Sequence, residues 1–168
     1  MNAFPRPRSE AVPTRAPATG DFVLDLRLAA AQSPPQPVRV LTPRELVLAV
    51  RHAADEGLAL ELGTQAVESA LVLDLSGMKR IVVDPRARTV RVQAGATVAE
   101  VESAAAAHGL APRVERGRIA SADLVAAQVV ARDGSIVHAI ADTTPELLEL
   151  VRTGALLGVV VEATYRLR

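Results

Sequence analysis

The sequence predicts an α+β fold built as two small lobes, and three observations carry that prediction. Helix starts recur: Thr42 with Glu45 and Thr97 with Glu100 have the spacing of a capping box, and Thr144-Pro145-Glu146 opens a third helix. Alternating apolar runs flank tight turns at Asp84–Arg88 and at Asp133–Gly134, as hairpins require. The order of elements is β-α-β-β, then ββ-α-ββ-α-β, which groups the strands instead of alternating strand and helix strictly.

Residues 1–37 come first. Pro5, Pro7, Pro13 and Pro17 stand among small and charged residues, too little apolar area to offset the entropy of ordering, so this segment is expected to be largely disordered. Within it DFVLDLRLAAAQ (21–32) reads equally as a strand or a short helix, and SPPQP (33–37) breaks the chain. The first lobe is expected over 38–78. VRVL (38–41) is strand-like, and the helix Pro43–Glu56 puts Leu46, Val50 and Ala53 on one stripe, with Gly57 as its left-handed stop. LALEL (58–62) and LVLDL (71–75) complete it as strands.

The second lobe is expected over 79–168. RIVVD (80–84) and TVRVQAG (89–95) pair around DPRAR, with Val90 and Val92 on one face and Thr89, Arg91 and Gln93 on the other. The helix Val98–His108 stops at Gly109. DLVAAQVVA (123–131) and SIVHAI (135–140) form the second hairpin, LLELVR lies in the third helix, and GVVVEATYRLR (158–168) is a final alternating strand.

Composition excludes several function classes. The 168 residues carry 19 basic and 19 acidic side chains, and aromatics are only 2%. Nucleic-acid binding calls for a basic face, and for stacking aromatics on single strands, so no nucleic-acid partner is expected. No cysteine occurs, which removes disulfides, thiolate nucleophiles and thiolate metal sites. His52, His108 and His138 stand apart without ligand or catalytic spacing, so no metal and no catalytic residue is assigned. The longest apolar run, GALLGVVVEA (154–163), is too short to span a bilayer. A cytoplasmic protein without a membrane partner is the expectation.

A longer pattern is more informative. LVLDLSGMKRIVVDPRARTVRVQAGATVAEVESAAAAHGL (71–110) resembles the middle of the FAD-linked oxidase N-terminal domain, the PCMH-type FAD-binding domain shared by vanillyl-alcohol oxidase and p-cresol methylhydroxylase. VVARDGSIVHA (129–139) and PELLELVRTGALLGVVVEATYRL (145–167) continue the resemblance, and TPRELVLAVRHAADEGL (42–58) extends it backward. The resemblance implies FAD lying extended between two lobes, with a separate substrate domain following. It implies a glycine-rich loop of the pattern R-x-G-G-H-S on the pyrophosphate after the first lobe's second strand, and a second glycine-rich stretch after the HGL helix. Carried onto this sequence, the cofactor positions are Gly63 and Thr64, then Gly95, Ala96 and Thr97, then Gly158, Val159 and Val160. The Gly95–Thr97 turn reads either as an anion site or as an ordinary capped helix start. Gly158–Val160 reads either as cofactor-facing or as buried strand.

The departures are as informative as the matches. The first loop here is GTQAVESA (63–70), with one glycine and no histidine, so the family's histidyl attachment to flavin is excluded. The second glycine-rich stretch is replaced by APRVERGRIASA (111–122), whose Arg113, Arg116 and Arg118 either substitute for lost donors or form a solvated loop. Hydrogen bonds to a charged group contribute about 1.5–3 kcal/mol each. Losing three costs about 5–9 kcal/mol, enough to move a nanomolar site to micromolar or beyond. The expectation is a reduced FAD-binding domain with at most weak, non-covalent FAD binding and no catalysis of its own, because the chain stops where the substrate domain would begin. A flavin-free scaffold or protein-interaction module, or a gene fragment, is the alternative. A protein partner or a separate substrate-domain subunit stays open.

Overall fold

The computed structural model describes Phe22, Leu26, Ala29 and residues 36–65, 67, 70–155 and 158–168. Its architecture is α+β, with two main sheets. β1 (Val38–Arg39), β2 (Ala59–Leu62) and β3 (Ala70–Asp74) form a parallel sheet in the order β1-β3-β2. β4 (Ile81–Asp84), β5 (Thr89–Gln93), β8 (Leu124–Ala131), β9 (Ile136–Ile140) and β10 (Gly158–Arg166) form an antiparallel sheet in the order β4-β5-β10-β8-β9. The last strand thus inserts at the centre, between the two hairpins. Neither hairpin could close a core without it.

The helices begin where their caps dictate. α1 (Pro43–Asp55) and α2 (Val98–Ala106) both carry complete capping boxes, and α3 (Pro145–Thr153) starts on Pro145 and ends at Gly154 in the left-handed conformation. The Thr144 hydroxyl does not cap α3; it accepts from the Ile140 amide at 2.8 Å and so ties the helix to the end of β9. In the first hairpin, Asp84 Oδ1 accepts from the amides of Arg86 and Ala87, and Val90 and Val92 are buried as the alternation requires.

Two findings go beyond the sequence reading. Phe22, Leu26 and Ala29 are helical and buried, at a four-then-three spacing that places them on one face, so at these positions the segment left open between strand and helix is helix. They join the core made by Leu46, Ala49 and Val50 of α1, Leu71 and Leu73 of β3, and Val130, Val159 and Val161 of the antiparallel sheet. The core therefore reaches into the proline-rich 1–37 segment. The stretch 111–122 also contains a small hairpin, β6 (Val114–Glu115) with β7 (Arg118–Ile119), turning through Arg116 and Gly117 at φ 51° and 76°.

The other face of the antiparallel sheet carries α2 and α3. Val129, Ala127 and Ala163 pack with Leu148 of α3, while Val90 and Val92 pack with Val101 and Ala105 of α2. β2 and β3 are parallel neighbours joined by only the seven residues 63–69. Such connections ordinarily take about a dozen residues or more.

Candidate functional site

The described surface carries at least two grooves. The first, of about 720 Å³, runs along the free edge of β2 from Gly57 to Leu62, with α1 on one side and Val130, Arg132, Gly158 and Val159 on the other. It lies between the parallel and antiparallel sheets. The second, of about 390 Å³, lies between α2 and α3 over the antiparallel sheet. Val159 lines the first and Val160 the second, as adjacent residues of a strand must when the grooves sit on opposite faces.

The eight positions carried over from the resemblance divide among three places. Gly158 and Val159 line the first groove, and Gly63 and Thr64 directly follow its last β2 residue, Leu62. Ala96 and Val160 line the second groove. Gly95 and Thr97 line neither.

Their local chemistry differs as sharply. At the Gly95–Thr97 turn each amide is already used: Gly95 N donates to Met78 O at 2.9 Å, Ala96 N to Gln93 O at 3.1 Å, and Thr97 N to Glu100 Oε2 at 2.7 Å. Lys79 Nζ holds the other Glu100 oxygen at 2.8 Å. That ammonium first, then the Thr97 amide and hydroxyl, bring the Glu100 carboxyl down to about 2. A side chain at Gly95 would collide with the Leu75 carbonyl, and one at Gly158 would meet Val130 O at 2.6 Å. Both glycines are thus required by internal packing.

Gly63 is different. Its amide donates to Leu73 O at 3.0 Å and extends the sheet, but a side chain built there would meet nothing within 4 Å. Nothing among the described residues demands a glycine there. The next two amides, of Thr64 and Gln65, have no hydrogen-bond partner among the described residues, and both residues are exposed. They stand at the carboxyl end of a parallel strand, the edge of open α/β sheets where ligands bind.

Arg132 is a groove residue that the sequence did not single out. It lines the first groove, is exposed, and forms no ion pair among the described residues. Standing just before the Asp133–Gly134 turn, it reads in sequence as a loop arginine. Of the arginines that were singled out, Arg113 Nε lies 3.2 Å from Asp123 Oδ2, near enough to pair but not aligned for a hydrogen bond. Arg116 sits in the β6–β7 turn, and Arg118 lines the second groove. No histidine side chain is hydrogen-bonded to a serine or carboxylate among the described residues, and no group of three metal-ligating side chains occurs among them. No helix among them is long and apolar enough to cross a membrane.

The α+β architecture, with its parallel and antiparallel sheets, is that of the PCMH-type FAD-binding domains. The chain belongs to the FAD binding domain family, whose profile matches residues 38–129. The FAD-linked oxidoreductase pgmH of Aspergillus terreus is 32% identical over 111 residues, covering 58% of this chain and 23% of the relative. Among solved structures, 6-hydroxy-D-nicotine oxidase of Arthrobacter nicotinovorans superposes with a TM-score of 0.70 at 25% identity, covering 79% of this chain and 36% of that one. Xylooligosaccharide oxidase of Myceliophthora thermophila superposes with a TM-score of 0.67 at 19% identity, over 79% and 36%. The chain therefore spans about a quarter to a third of the length of these relatives. FAD is the cofactor of the family.

Proposed function

We propose that this chain is an FAD-binding module that holds the flavin non-covalently and weakly, in the groove between lobes 38–78 and 79–168, and performs no oxidation alone. The observation that carries the reading is Gly63: a glycine with open space where its side chain would be, followed by two amides without a partner among the described residues, at the end of β2. Thr64 and Gln65 would donate to the pyrophosphate, Arg132 would supply the one cation among the described residues of the groove wall, and Gly158 and Val159 would face the body of the cofactor. FAD, when bound, supplies a two-electron acceptor. The weakness follows from the seven-residue connection, which must return to the start of β3 and has little length left to wrap a phosphate. A cysteine-free chain suits the cytoplasm, where fractionation of the producing cell should place it.

Titrating the purified chain with FAD and following flavin fluorescence tests this directly. A micromolar Kd is expected, and Gly63→Val, whose Cβ would meet no atom within 4 Å, should weaken it at least about tenfold with unchanged melting temperature. A nanomolar Kd, or flavin retained after denaturation, overturns the reading. One observation favours a second reading, a flavin-free scaffold: Gly95 and Gly158 are both accounted for by packing alone. No saturable binding of FAD at any concentration would establish that one instead.

A further inference from the structure

The second groove has a composition of its own. Its floor is apolar, formed by Val92 of β5 and by Val160 and Ala163 of β10, and small side chains at Ala96 and Ala163 leave the space under α2 and α3 open. Only two charged side chains line it, and both are arginines, Arg118 and Arg152. Arg118 has no ion pair among the described residues. Arg152 is fixed in place: one terminal nitrogen donates to the Leu124 carbonyl at 2.6 Å and the other lies 3.4 Å from Glu149. Its Nε is buried and has no partner. An anchored guanidinium and an unpaired one on an apolar groove, with no carboxylate on the lining, are arranged for an anion that carries a hydrophobic body.

We infer that this groove is a binding site, separate from the flavin groove, for monocarboxylates bearing an aryl or medium-chain alkyl body. The carboxylate meets Arg118 and Arg152, and the body lies on Val92, Val160 and Ala163. A volume of about 390 Å³ sits at the lower end of small-molecule sites. That size suits a body of about ten carbons and is too small for a dinucleotide.

Calorimetric titration of the full chain with naphthoate and with decanoate tests the site, with naphthylmethanol and decanol as uncharged controls. At least one acid is expected to bind saturably at one per chain, and its alcohol about tenfold more weakly or worse. Preference for naphthoate assigns an aryl body, and preference for decanoate an alkyl one. Arg118→Gln should erase the difference between acid and alcohol. Ala163→Leu should abolish both by filling the groove; if that variant does not fold, Arg118→Gln decides alone. Saturating FAD should not displace the acid. Equal binding of acid and alcohol, no saturable binding of either acid, or competition with FAD would each overturn the assignment.

Discussion

Two turns in this molecule look alike in sequence and have opposite physical roles. Each leaves a strand through a glycine and a threonine: Gly63–Thr64 after β2, and Gly95 to Thr97 after β5. At Gly95 the chain is closed on itself. The glycine lies against the Leu75 carbonyl, all three amides are bonded internally, and Thr97, Glu100 and Lys79 lock the start of α2. At Gly63 the chain is open: a side chain there would meet no atom within 4 Å, the next two amides have no partner among the described residues, and the turn is exposed. A glycine retained for packing and a glycine retained for a ligand cannot be told apart by letter. They can be told apart by asking what a methyl group would strike.

The largest test of this contrast is Gly95→Ala, which forces a methyl against a backbone carbonyl that cannot swing aside. It should cost about 3 kcal/mol in a denaturant melt; a loss within about 0.5 kcal/mol would show that the turn relaxes and the contrast is false. Next comes Thr97→Ala, which removes the cap on the Glu100 amide and should cost about 1 kcal/mol. A smaller effect is electrostatic. Because Glu100 is held at about 2 in the folded chain against an ordinary 4.5, its contribution is complete above 4.5 and is lost as pH falls through that value towards 2. Lys79→Met should flatten the acid limb of a stability–pH curve, and an unchanged limb would show that the pairing with Lys79 is too solvated to matter. The smallest effect on stability belongs to Gly63→Ala, expected within about 0.5 kcal/mol of the parent. A large destabilisation there would remove the case for a ligand at that turn.

The elements with local signals were legible. Both capping boxes sit where the threonine and glutamate spacing put them, and the hairpins at Asp84–Arg88 and Asp133–Gly134 formed, because caps and turns are decided by a few adjacent residues. The β6–β7 hairpin was not visible, since two-residue strands of valine, glutamate, arginine and isoleucine show no periodicity. Nor was the central place of β10, a choice made by long-range packing of Val159, Val161 and Ala163. The helical state of Phe22, Leu26 and Ala29 depends on a core that those residues help to close, so local propensity alone left it open. The candidate site was legible only as a family pattern. That pattern fixed which residues to inspect, but not that Val159 and Val160 face different grooves or that Arg132 stands on the wall of one.

The short connection between β2 and β3 has a consequence for what this fold could become. The entropy of closing a loop grows only with the logarithm of its length, so doubling residues 63–69 would cost about 0.6 kcal/mol. The insertion would emerge beside β2, the edge strand of the parallel sheet among the described residues. A glycine-rich segment grafted there would find the strand that must present it, the open groove and Arg132 already in position. If the flavin sits at this turn as proposed, a few inserted residues would tighten its binding at an energetic cost well below that of a single core substitution.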